Sequence, residues 1–404
     1  MRFPVLGLLS GLILLGGCDI VPGPTVPFPK IPTKTGPTPD PEPEPPPPAP
    51  APPPPAPAPP PPTPPSTSSS LTGLGNPFAD VYPAAHIVGK GDVHDLATVD
   101  GRLYLAHGST NSNVVWRPVY YDLGSEGWAS DNVQIRQEGI FEFQVGPSGR
   151  LYATADDPQG VNAVLMIRRE RNGSWTERVV DTPENHSRDT YEWVDPKTGK
   201  TLVFVHNPAP HYPDVSISYD DGGSFVRYGE QSHPSGTKPI GLLKFFEFKG
   251  ELYASSYKSS SKPYLSRYTG DSNDPFEVVS ANRASVFPGG GSQIDKAATF
   301  GDHLVVASNR FYAGTALRSD RMVELNVPGR AKDMVQVGDE MYLLSANIGP
   351  GTSNLYVTRD GVTVSEVETF DRPFVAIEYV DGAFYLAESG GVAQHTLWRY
   401  TMAR

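Results

Sequence analysis

His94, Asp95 and His107 lie close together in the chain, and two imidazoles beside a carboxylate are the ligand types that hold zinc or another divalent ion. Their spacing matches none of the tight metal motifs, so no metal and no cofactor is predicted. His94 and His107 are the residues such an ion would use. Further polar and aromatic residues recur in one sequence context, each at the edge of an apolar run: Asp157, Tyr191, His206, Tyr257, Asn309, Arg310, Asn347 and Glu388. Tyr191 and Tyr257 offer aromatic platforms, while His, Asp, Asn and Arg side chains fix hydroxyls and carboxylates, a combination suited to a glycan or peptide ligand. Glu142, Lys244, Asp295, Lys296 and Asp333 occupy the corresponding entering positions. No P-loop, dinucleotide fingerprint, HExxH, GxSxG or CxxC occurs, so catalysis has no motif behind it.

Those residues flank seven copies of one phrase. The copies begin LATVDGRLYLAHG at Leu96, FQVGPSGRLYATA at Phe143, WVDPKTGKTLVFVH at Trp193, FFEFKGELYASS at Phe245, AATFGDHLVVAS at Ala297, MVQVGDEMYLLS at Met334 and AIEYVDGAFYLAE at Ala376. Period-2 apolar alternation around Asp-Gly or Gly-Asp is a β-hairpin signal. A weaker strand pair follows each phrase, and a repeat of roughly 40 to 50 residues with four strands is a propeller blade. The pattern predicts an all-β, seven-bladed β-propeller. Only one strand, Thr396 to Met402, follows the seventh phrase, so an N-terminal strand, Tyr82 to Gly89, is expected to close the last blade and cover two open edges. Because the phrase turns share one end of such a ring, the flanking residues must line the other.

Upstream the composition changes. Residues 1–17 carry Arg2 and the apolar run Phe3 to Leu15, too short for a membrane span and typical of an export signal. More than half of the 44 prolines fall between Val21 and Ser66, which removes backbone donors and fixes φ near polyproline II values. Residues 18–75 are read as a disordered Pro-rich stalk, whose proline tract of about 45 residues spans on the order of 140 Å if extended, and residues 76–404 as the propeller. Leu15-Gly16-Gly17-Cys18, with Cys18 the only cysteine, resembles a bacterial lipobox. That resemblance implies lipidation of Cys18 and a chain anchored to a membrane of the bacterial cell envelope, facing periplasm or exterior. The net charge of −12 argues against nucleic acid as a partner.

Ser218-Tyr219-Asp220-Asp221-Gly222-Gly223-Ser224-Phe225 is similar to the Asp-box, or BNR repeat, of sialidase-like propellers, with Ser218, Asp220, Gly222 and Phe225 at its signature positions. Partial forms occur at Asn172-Gly173-Ser174-Trp175 and Thr358-Arg359-Asp360-Gly361. The resemblance implies a folding element between the two outer strands of a blade, away from the ligand face. It does not extend to sialidase chemistry, because no Arg-Ile-Pro is present and Arg136, Arg188 and Arg310 fit no arginine-triad spacing; Tyr191-Glu192 is the one mimic of a Tyr-Glu nucleophile pair. The expected function is binding or scaffolding of a glycan, cell-wall or protein ligand at the propeller mouth. The alternative is a divergent sialidase-like or other propeller glycoside hydrolase.

Overall fold

The computed structural model describes residues 69–82, 92–108, 115–158, 163–181, 189–208, 213–228, 242–256, 265–280, 283–288, 293–347, 351–388 and 395–403. Seven four-stranded antiparallel sheets follow one another: residues 93–130, 137–181, 189–228, 242–280, 296–324 and 330–370 form blades 1 to 6. Blade 7 takes three strands from residues 374–401 and its fourth from Ser70–Gly73. The innermost strands of neighbouring blades pack side by side all the way round, blade 7 against blade 1 included, so the ring is closed.

The hairpin chemistry is as the sequence dictates. Asp100-Gly101, Lys249-Gly250 and Asp381-Gly382 each hold two consecutive positive φ values, the geometry of the two-residue turn that matches strand twist. Alternate apolar side chains then leave each sheet on both faces, and the core is divided into seven layers, one between each pair of neighbouring blades. Leu103, Leu105 and Val119 of blade 1 meet Ala376, Tyr385 and Leu397 of blade 7, for example, and Phe204 of blade 3 meets Phe245 and Phe276 of blade 4.

Ring closure uses a different segment from the one the sequence suggested. Ser70–Gly73 pairs with Trp398–Thr401, so Ser70 opens the strand at the end of the ring that carries the hairpin turns and Gly73 closes it at the opposite end. The propeller thus begins by Ser70, inside the stretch read as stalk. Tyr82 forms no strand but follows the short helix Phe78–Val81, and residues 83–91 lie outside the described residues. Phe78 and Tyr82 are buried in the blade 7–blade 1 layer.

Candidate functional site

All seven innermost strands run from one end of the ring, the mouth, toward the hairpin turns. Five of them shift register at the mouth, between Val93 and Asp95, Ile140 and Glu142, Leu242 and Lys244, Ala331 and Asp333, and Phe374 and Ala376. A bulge of this kind re-aims the side chain that follows it. In four of the five that side chain is charged: Asp95, Glu142, Lys244 and Asp333. Asp189 and Lys296 open the two unshifted strands.

These six residues, one from each of blades 1 to 6, form a single charged cluster. Lys296 Nζ lies 2.7 Å from Asp95, 3.5 Å from Glu142 and 3.8 Å from Asp333. Lys244 donates to Glu142 and stands 3.8 Å from Asp189. Glu142 therefore joins both ammonium groups. Three of the acids also accept a backbone N–H from the following blade: Phe143 donates to Asp95 at 2.8 Å, Phe245 to Asp189 at 2.6 Å and Ile377 to Asp333 at 3.0 Å. Blade 7 adds Glu378, whose carboxyl feels the charges of Asp333, Asp95 and Lys296.

Acids outnumber lysines here in a low-dielectric shaft, and the protonation equilibria respond. Burial raises Asp95 and lifts Asp189 to about 7, Asp333 to about 6 and Glu378 to about 8. Burial acts the same way on Glu142, but Lys244 and Lys296 outweigh it and hold that carboxyl below its ordinary value. Both lysines are held above theirs: desolvation is overcome by Asp189 and Glu142 around Lys244, and by Asp95, Asp333 and Glu142 around Lys296. Near neutral pH the cluster thus contains two ammonium groups and an ionised Glu142, beside Asp189, Asp333 and Glu378 carboxyls whose raised values lie near that pH. Lys296 is 23% exposed and Glu142 15%, against 2% for Asp189, so a ligand entering the mouth meets Lys296 and Glu142 first.

The other anticipated residues divide into those at the rim and those inside. His94 is the bulged residue of blade 1; Nε2 is 2.9 Å from the Gly108 carbonyl and the ring packs on Phe141, while burial lowers its pKa. His107 is fully buried between Phe78, Tyr82 and Trp116, with Nε2 3.1 Å from the Arg117 carbonyl. The two imidazoles serve different neighbours, and among the described residues no three His, Cys, Asp or Glu side chains gather as a metal-holding group. His206, in register with Asp189, is also fully buried and is no rim contact. Tyr191 packs on Phe245 in the blade 3–blade 4 layer instead of offering an open ring face, and burial drives its pKa up. Glu388 accepts from Trp398 Nε1 at 2.9 Å and Arg372 at 3.2 Å, which makes it an internal tie of blade 7.

Asn309 and Arg310 are exposed at the mouth end, and Asn347 Nδ2 donates to Thr352 there at 2.9 Å. Arg310 lines a groove of about 250 Å³ with Glu324, Leu325, Asn326, Val327 and Pro328. Asp157 belongs to the strand Leu151–Pro158, but its side chain, like Tyr257, Arg188 and Cys18, lies outside the described residues. Asp189 and Glu378 were missed by sequence reasoning. The signal that finds them is a carboxylate within an apolar innermost strand.

Of the residues tied to sialidase chemistry, Glu192 and Arg136 have partners of their own. Glu192 accepts from Ser148 Oγ at 2.7 Å and Ser148 N at 3.1 Å, in the blade 2 turn far from the mouth. Arg136 pairs with Glu177. The Asp220 turn joins the third and fourth strands of blade 3: Ser224 N and Oγ each donate to the carboxylate at 2.7 Å and Ser218 Oγ at 2.8 Å, which brings Asp220 down to about 2.

No family model matches the chain, and no curated protein does. Among solved structures, virginiamycin B lyase from Staphylococcus aureus is similar over 83% of this chain and 100% of that one, at 13% identity and a TM-score of 0.53. BamB from Moraxella catarrhalis covers 77% of this chain and 83% of its own at 11% identity and a TM-score of 0.42. Apo AztD from Citrobacter koseri covers 72% and 79% at 13% identity and a TM-score of 0.46. At such identities the likeness to the lyase is one of fold, and the chain is a seven-bladed β-propeller.

Proposed function

We propose that this chain is a binding propeller, tethered outside the cytoplasm through a lipid on Cys18 and the Pro-rich stalk, that takes a glycan, cell-wall or protein ligand at its mouth. The observation that carries the reading is the charged cluster of Asp95, Glu142, Asp189, Lys244, Lys296 and Asp333, which six blades bring to one end of the ring. Its accessible members present an ammonium and a carboxylate side by side, and the exposed Asn309 and Arg310 extend that polar surface to the rim. A scaffold this rigid positions such groups without a large ordering cost on binding. Full-length protein applied to glycan and peptidoglycan-fragment arrays tests the reading. Glu142→Gln and Lys296→Met should weaken capture by more than about tenfold, the effect of losing one central anchor, while Lys249→Ala and Asp381→Ala at the turn end should not. Capture that survives both cluster changes and fails with the turn changes would overturn it.

A further inference from the structure

The groove at the mouth end of blades 5 and 6 is framed by two opposite charges that leave one another incompletely answered. Arg310 Nη1 donates to the Gly329 carbonyl at 3.0 Å, while its Nε stands 3.9 Å from the Glu324 carboxylate, beyond hydrogen-bonding distance. Both side chains are about half exposed, at 44% and 50%. Their placement is fixed by backbone: Leu325 N donates to the Phe311 carbonyl and Val327 N to Leu325, and the Leu325 and Val327 side chains are buried in the layer between these blades. The alternation leaves Glu324, Asn326 and Pro328 on the open side. A preformed floor thus holds a guanidinium and a carboxylate that, among the described residues, keep spare N–H donors and lone pairs, with a side-chain amide and a proline ring around about 250 Å³.

We propose that this groove binds the zwitterionic end of an amino acid or of a similar small amphoteric ligand, its carboxylate on Arg310 and its ammonium on Glu324. The groove carries no net charge from this pair, so selectivity comes from polarity and not from sign. A ligand bearing only a carboxylate meets repulsion from Glu324, and one bearing only an ammonium meets repulsion from Arg310; each pays desolvation for one unanswered group. An adjacent carboxylate and ammonium answer both at once, and the planar fork of Arg310 gives the carboxylate two parallel donors that a lysine cannot.

The inference rests on the reading of the mouth end as the ligand face, and its test is independent of the charged cluster. L-leucine, N-acetyl-L-leucine and L-leucinamide are titrated into the full-length protein by calorimetry at pH 7.5, with wild type, Arg310→Lys, Arg310→Ala and Glu324→Gln compared. Leucine should bind, the two singly charged derivatives should bind at least tenfold more weakly, and Arg310→Ala should remove leucine binding while leaving the melting temperature of this exposed site unchanged. Arg310→Lys should retain only part of it. Equal binding of leucine and N-acetyl-leucine, undiminished binding by Arg310→Ala, or no binding of leucine at all would overturn the assignment. If leucine binds as expected while array capture maps to the turn end, the groove stands and the wider reading of the mouth falls.

Discussion

Asp189 shows how one side chain serves both stability and pH response. Its carboxyl is buried, accepts the Phe245 amide and faces Lys244 and Glu142, and its pKa sits at about 7 against 3.8 in an unfolded chain. A raised carboxyl contributes stability that is complete below the unfolded value and is lost as pH climbs through the folded one. Asp333 and Glu378 act in the same direction, at about 6 and about 8, whereas Glu142, held low by the lysines, contributes stability that is lost as pH falls. The melting temperature should therefore be higher near pH 5 than near pH 8, and Asp189→Asn should flatten the alkaline side; a melting curve followed from pH 4 to 9 for both proteins checks this, and a wild type more stable at pH 8 than at pH 5 contradicts it. At this scale the sequence was informative where a charge interrupts an apolar strand, as at Asp95 and Lys296, and misleading where a strand-end histidine looked exposed. Nothing beside His107 in the chain announces that Phe78 and Tyr82, from a distant segment, will cover it.

Among the elements, the closing strand Ser70–Gly73 has the most to lose from a small change. A Cβ added at Gly73 would lie 2.7 Å from the His395 ring, whose Nδ1 accepts the Gly75 amide at 2.8 Å. Gly73→Val should destabilise the protein by about 1–3 kcal/mol through overpacking. A chain beginning at Asn76 loses the strand, and with it the pairing to Trp398–Thr401, so it should melt well below one beginning at Ser66; equal melting temperatures would show that blade 7 closes without this segment. The hairpins were legible because Asp-Gly turns and Leu-Tyr strands repeat. Ser-Leu-Thr-Gly was not, because it carries one apolar residue and stands only four residues beyond the proline tract, and its partner strand lies at the other end of the sequence. Local chemistry specifies a hairpin, whereas a strand paired across the whole chain is specified by the vacancy it fills.

In the whole molecule, seven inner strands run from the mouth toward one set of turns, so the two ends of the ring differ in kind. The mouth gathers the bulges, the cluster and the Arg310 groove; the turn end gathers hairpins and inter-blade ties such as Arg169–Asp100 and Arg150–Asp221. The proposed ligand face is the mouth, and amide hydrogen exchange of the full-length protein, with and without a ligand captured on the arrays, distinguishes it from the turn end. Binding should slow exchange around residues 93–95, 140–142, 189–191 and 330–333 and leave the turns at 100–101, 249–250 and 381–382 unchanged, and slowing confined to those turns would contradict it.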